Sequence, residues 1–244
     1  MRNDEKEKMA DQVEIVGGAA EDRDLRAVWR ASRSLSISLV CSAFFLILFA
    51  WLSEEVFEGE LQRFDLAARM KVHEFFSPQM TKFMQAMTFL GSIAFLSALF
   101  LLITAFWLSR KMYRPAAWLA IAVGGSVFLD VSLKLSFHRA RPIPFVGVVP
   151  LTYSFPSGHA LSSFCFYGVL AGLLCARIQN PLFRALVWFA GALLVLAIGI
   201  SRIYLGVHYP TDVIAGYIAA AAWVSTLLLA VYSKRKVKGR IAAA

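Results

Sequence analysis

The chain has 244 residues, 59% of them hydrophobic and only 17% charged, with a mean hydropathy of +0.63. A soluble domain of this length is excluded, and an integral membrane protein is indicated. The formal net charge of +9 does not point to nucleic acid, because the basic residues form no stripe with interleaved aromatics and stand between apolar runs.

Residues 1–34 are polar and without pattern, which predicts a disordered cytoplasmic tail. This lead is too long and too acidic for a cleavable signal peptide, so the first apolar run is expected to stay in the mature protein. Crossing a bilayer takes roughly 20 apolar residues per helix. Runs of that kind lie at Leu35 to Leu52, Phe83 to Leu108, Pro115 to Leu133, His159 to Ala176, Leu182 to Ile200 and Thr211 to Tyr232. The expected fold is all-α, a polytopic bundle of about six transmembrane helices over residues 35–232, closed by a basic cytoplasmic tail at 233–244.

Between the first two runs lies an outer segment, residues 53–82. Within it Phe64, Ala68, Val72, Phe75 and Phe76 recur near helical spacing, with Arg63, Arg69, Lys71 and Glu74 between them. This predicts a helix over Leu61 to Phe76, lying in the membrane interface and broken at Ser77-Pro78. It would serve as a structural cover or as a lip admitting lipid. Cys41, Cys165 and Cys175 fall inside apolar runs without paired spacing, as small apolar side chains do.

Four segments are basic: Arg26, Arg30 and Arg33 before the first run; Arg110, Lys111 and Arg114; Arg177 and Arg184; and Lys234, Arg235, Lys236, Lys238 and Arg240 after the last. The positive-inside rule places all four in the cytoplasm, with both termini. Residues 53–82, 134–158 and 201–210 are then expected on the outer face of an inner or plasma membrane.

The second and third of these outer segments hold the polar clusters. Lys134, Arg141 and Arg202 can hold a phosphate, arginine through two parallel hydrogen bonds and lysine as a point charge; the plainer role for Lys134 and Arg141 is to snorkel at the end of the third span. Ser157 and Gly158 follow Pro156 at a helix start, where unpaired N–H groups and the helix dipole favour an anion, although such a start is also an ordinary cap. His159 comes next, as a candidate acid. His208 and Asp212 stand four apart around Pro210, so the carboxylate can orient the ring as a nucleophile or simply stabilise the helix N-terminus. Asp130, one turn before Lys134, is expected to pair with it. Arg139 is a candidate head-group contact, and His138 and His73 read as structural.

Taken together, Lys134-x-x-x-x-x-x-Arg141-Pro142, Pro156-Ser157-Gly158-His159 and Ser201-Arg202-x-x-x-x-x-His208-x-x-x-Asp212 resemble the three-part signature of the type-2 phosphatidic acid phosphatase superfamily, related in fold to vanadium haloperoxidases. The resemblance runs from about the second span to the sixth. It implies a membrane phosphatase acting on a phosphorylated lipid, with His208 forming a phosphohistidine, Asp212 orienting it and His159 protonating the leaving oxygen. It also implies phosphate binding by Lys134, Arg141, Ser157, Gly158 and Arg202 without a metal or other cofactor, and the outer segments carry no carboxylate cluster suited to magnesium. The compact six-span layout resembles the bacterial branch acting on undecaprenyl diphosphate; phosphatidic acid, phosphatidylglycerophosphate and the 1-phosphate of lipid A are the alternatives. A haloperoxidase would hold vanadate in the same pocket, and a lipid phosphate binding or transport protein would use the same cations without needing His208 oriented by Asp212.

Overall fold

The computed structural model describes residues 34–147 and 150–242, with side chains up to residue 230. The expected tail at 1–34, with Arg26, Arg30 and Arg33, lies outside the described residues apart from Ser34, as do the side chains of the last basic segment. Eight helices follow in order: α1 (Ser34–Glu58), α2 (Gln62–His73), α3 (Pro78–Leu90), α4 (Ile93–Ser109), α5 (Tyr113–Phe137), α6 (Gly158–Cys175), α7 (Pro181–Tyr204) and α8 (Pro210–Ala242). The chain divides into two units, Ser42–Val224 and a second made of residues 1–41 with 225–244. In the second, the described residues are the helical beginning of α1 and the end of α8, which continues without a break through the basic tail to Ala242.

Among the described residues five helices are long and apolar enough to cross a membrane, α1, α5, α6, α7 and the first 21 residues of α8. The sixth expected crossing differs from a single straight span. The run Phe83 to Leu108 is divided between α3 and α4, which meet at a bend of 48°. Ser92 marks the division by capping α4, accepting from the Phe95 N–H, as Ser77 caps the start of α3 by accepting from that of Met80. Gly91 ends α3 where an added Cβ would collide with Ile198 of α7 and lie 3.3 Å from the His159 ring. With six candidate crossings, counting the bent pair as one, this is a multi-pass membrane protein.

Helix α6 packs between α5 and α7, α4 lies on α5, and α2 and α3 lie on α7. Close approach depends on small residues. Gly125 of α5 receives the Trp223 indole of α8, Gly199 of α7 receives the Tyr217 hydroxyl, and a Cβ on Gly216 would stand 2.7 Å from the Ser157 carbonyl. Buried Leu161 and Cys165 of α6 pack with Ala219 and Ala220 of α8. The outward surfaces are apolar, as lipid requires: Leu101, Leu102, Phe128, Leu135, Phe183, Phe189 and Leu193 are all exposed.

Chain alternation gathers the C-terminal ends of α5 and α7 with the N-terminal ends of α6 and α8. The α4–α5 and α6–α7 turns, with Arg110, Lys111, Arg114 and Arg177, stand at the other ends of the same helices. Helix α2 forms within the stretch where a helix was expected, Leu61 to Phe76. Its buried residues are Asp65 and Arg69, while Phe64, Phe75 and Phe76 are exposed.

Candidate active site

The turn from α7 to α8 sets the geometry. Gly206 adopts a φ of +78°, a left-handed conformation that favours glycine, and a Cβ there would be 2.5 Å from the Phe145 nitrogen. The Phe145 and Val146 amides donate to Leu205 O at 3.0 and 3.2 Å, so the α5–α6 connection is laid along this turn. Pro210 then opens α8, and the Asp212 carboxylate reaches back to accept from the Tyr209 N–H at 2.9 Å.

His208 lies between two polar partners and is buried with Asp212. Its Nδ1 is 3.3 Å from Asp212 Oδ2, and its Nε2 is 2.9 Å from Arg141 Nη1. A guanidinium can only donate, so Nε2 is the unprotonated nitrogen and Nδ1–H donates to Asp212. The ring is neutral, with its lone pair directed at the guanidinium of Arg141. Burial pushes its pKa well below the ordinary 6.5, and the charges of Arg141, Arg202 and Lys134 push in the same direction.

Arg141 is braced by the α5–α6 connection. Its Nε and Nη2 donate to Thr152 O and Oγ1 at 2.6 and 2.9 Å, and Nη1 also reaches Val207 O at 2.9 Å. Burial lowers its pKa, against which Asp212 and then Asp130 act. Arg202, near the end of α7, is held from α3 by a hydrogen bond to Thr88 Oγ1. Lys134 pairs with Asp130 at 2.8 Å, and Arg139 with Asp65 and Asp212. Arg141 and Arg202 have no salt bridge among the described residues, so their charges are the ones left to meet an anion.

At the start of α6, Ser157 is fully buried and its N–H donates to Asp212 O at 2.9 Å. Its hydroxyl makes no cap hydrogen bond. Ser157 Oγ and Arg202 Nε are both buried without a partner, a costly arrangement unless a ligand satisfies them. An added Cβ on Gly158 would stand 2.6 Å from Asp130 Oδ1, so the helix start approaches α5 closely. His159 is within electrostatic reach of Arg202, His208, Lys134 and Arg141. All eight residues read from the sequence as site residues thus converge at one end of the bundle. Orphaned donors beside unpaired guanidiniums fit a phosphate group. Among the described residues no three His, Cys, Asp or Glu side chains form a group suited to a metal ion.

Other contributions are not visible in the motifs. Arg139, a candidate head-group contact in the sequence, is half-buried between Asp65 and Asp212, with its guanidinium 4.3 Å from the centre of the Tyr209 ring. Arg69 of α2 donates to the carbonyls of Ile143 and Gly206 and lies 4.1 Å over the Phe145 ring, tying the α5–α6 and α7–α8 connections together. Thr88 and Thr152 are ordinary polar residues in the sequence. The one available signal for Asp65 was its being the single acid of α2, in the first turn of that helix. His73 stacks on Phe145 at 3.9 Å and His138 packs edge-on against Tyr153, consistent with structural roles.

The PAP2 superfamily model matches residues 115–236. Phosphatidylglycerophosphatase B of Bacillus subtilis is 30% identical over 175 residues, covering 71% of this chain and 84% of that protein. An undecaprenyl-diphosphatase of Sulfolobus acidocaldarius is 31% identical over 143 residues, covering 56% of this chain and 65% of its own. Among solved structures, the crystal structure of a transmembrane PAP2 type phosphatidylglycerolphosphate phosphatase from Bacillus subtilis superposes with a TM-score of 0.72 at 27% identity, covering 80% of this chain and 96% of that one.

Proposed function

Because this chain belongs to the PAP2 superfamily, we propose that it hydrolyses the terminal phosphate of a membrane lipid phosphate or pyrophosphate through a phosphohistidine at His208. The observation that carries this reading is the ring's hydrogen bonding: Asp212 holds Nδ1 protonated, and Nε2 keeps its lone pair facing the cations. A phosphate entering there accepts from Arg141, Arg202, Lys134, Ser157 Oγ and the amides at the start of α6. His208 Nε2 attacks phosphorus, a P–N bond forms, and the P–O bond to the lipid breaks. His159 gives its proton to the leaving oxygen. Water then attacks the phosphohistidine, losing a proton to His159, and inorganic phosphate is released.

Two head groups are favoured by particular observations. The six-span layout, with the site on the connections at one end, favours undecaprenyl diphosphate. The relative with the greater coverage, named a phosphatidylglycerophosphatase, favours phosphatidylglycerophosphate. Purified protein in detergent with excess chelator is expected to release phosphate from at least one of these, or from phosphatidic acid or lipid A, and the fastest substrate identifies the physiological class. No release from any of the four by folded protein would sink the phosphatase reading in favour of lipid phosphate binding or transport.

The basic turns at the opposite ends of the helices support an outer-face site with cytoplasmic termini in the inner or plasma membrane. An alkaline phosphatase reporter fused after Lys238 is expected to be inactive in cells, and activity there would reverse the orientation.

A further inference from the structure

The strongest unassigned arrangement lies behind Asp212. Asp65, on the inward face of α2, is 1% exposed. Its Oδ1 accepts from the Thr211 N–H at 3.0 Å, and its Oδ2 from Thr211 Oγ1 at 2.6 Å and Arg139 Nη2 at 2.8 Å. Arg139 spans the gap, with Nη1 donating to Asp212 Oδ1 at 2.6 Å and to Thr211 Oγ1 at 2.9 Å. One guanidinium is therefore gripped by carboxylates from α2 and α8. The carboxylate from α8 is the one that meets His208.

We propose that Asp65 and Arg139 are positioning residues for the phosphoryl-transfer step, acting through Asp212; this rests on His208 being the nucleophile. Two physical reasons converge. The rigid fork of Arg139 occupies Asp212 Oδ1 and fixes the plane of that carboxylate, which leaves Oδ2 aimed at His208 Nδ1. The second reason is charge. When Nε2 takes a phosphoryl group the ring becomes cationic, and Asp212 must offset that charge. A guanidinium alone, 2.6 Å away, would cancel the carboxylate's field. With Asp65 on its other side, one cation stands between two anions, and the trio presents one net negative charge to the ring.

A purely structural function for Asp65 has to be separated from this, since its bonds to Thr211 also secure the start of α8. The two functions have different kinetic signatures. Loss of structure reduces the number of competent molecules, while loss of positioning reduces the rate of each one. Rapid-quench trapping of phosphoenzyme, using short-chain phosphatidic acid labelled in its phosphate, measures both.

Asp65→Asn is expected to slow phosphoenzyme formation about 10- to 100-fold, the scale on which outer partners of a histidine act, at unchanged final amplitude and unchanged KM. Asp65→Glu, which restores the charge, is expected to recover at least about half of that loss on a logarithmic scale. Arg139→Lys keeps one charge but cannot span both carboxylates, and is expected to show the same slowing; it carries the test if Asp65→Asn does not fold. Wild-type rates in both Asp65→Asn and Arg139→Lys, or a lowered amplitude at wild-type rate, overturn the proposal. If wild-type protein forms phosphoenzyme but the variants match it, this proposal alone fails. If wild-type protein turns over substrate without any phosphoenzyme, the His208 reading fails and takes this one with it.

Discussion

His208→Ala is expected to fold, to bind lipid phosphate and to release no phosphate above roughly 10⁻⁴ of the wild-type rate, the scale of losing an essential nucleophile. The fold survives because the neighbours of His208 have other anchors. Asp212 keeps Arg139 and the Tyr209 N–H, and Arg141 keeps Thr152 and Val207. Binding survives because Arg202, Lys134 and the α6 start do not depend on the ring. The same ring fixes a pH dependence. Burial, then the charges of Arg141, Arg202 and Lys134, hold His208 well below 6.5, so it stays neutral as the pH falls through the value at which a free imidazole takes a proton. Phosphoenzyme formation by the wild type should therefore keep its rate from about pH 7.5 to about pH 6, after allowance for the substrate's own ionisation. A fall centred near 6.5 would show a ring in ordinary contact with water, contrary to the buried geometry.

Gly158→Ala should sharply reduce activity. The added Cβ would press on Asp130 Oδ1 at 2.6 Å, and Asp130 cannot withdraw without disturbing its 2.8 Å pair with Lys134. Relief therefore comes from moving the start of α6, which carries Ser157 and His159, or from moving the lysine. Either displaces a phosphate-holding group by a few tenths of an ångström or more. We expect phosphate release to fall about 10-fold or more, toward the roughly 10²-fold that a misplacement of about 1 Å costs in an oriented reaction. Stability should fall by about 1–3 kcal/mol, as for other overpacked sites. Gly124→Ala is the matched control: it lies on an exposed face of α5 with nothing within 4 Å of an added Cβ, and should leave rate and stability nearly unchanged. Phosphate release and thermal unfolding of the two variants in one detergent decide the matter, and equal effects of the two would mean that the α5–α6 contact is dispensable.

How much of this was legible beforehand depended on what each signal measures. Hydropathy located the crossings, because a lipid-facing helix needs a long apolar run whatever its neighbours are. It was blind to the bend at Gly91-Ser92, since both halves of that run are equally apolar; only the glycine and the capping serine marked it. The i to i+4 spacing of Asp130 and Lys134 gave their pairing directly. Periodicity said nothing of which residues of α2 would be buried. It marked Phe64, Ala68, Val72, Phe75 and Phe76 as the apolar positions of an interfacial helix, with Arg69 among the polar residues between them, whereas the buried residues are Asp65 and Arg69. Periodicity assumes that the neighbour of a helix is apolar. Here the neighbours are the carbonyls of Ile143 and Gly206 and the guanidinium of Arg139, which select polar partners. Arg139 was placed correctly on a connection but assigned to the wrong neighbour, because its partners are fixed by contacts more than seventy residues away in the chain.

The bond from Thr211 to Asp65 joins residues 146 positions apart, and Arg69 reaches Gly206 across 137. Synthesis proceeds from the N-terminus, so α2 is made and delivered to its face of the bilayer long before the strand of chain bearing His208 and Asp212 leaves the ribosome. Until the last connection and helix are made, Asp65 has no Thr211 to hold and Arg69 no Gly206, and α2 must wait for its counterparts. Competence is thereby deferred to the final insertion event. A chain that lacks its last helix carries Lys134, Arg141, Ser157 and His159 but not the Asp212 that holds the His208 ring, so under the proposed mechanism it leaves the phosphates of the surrounding lipids intact.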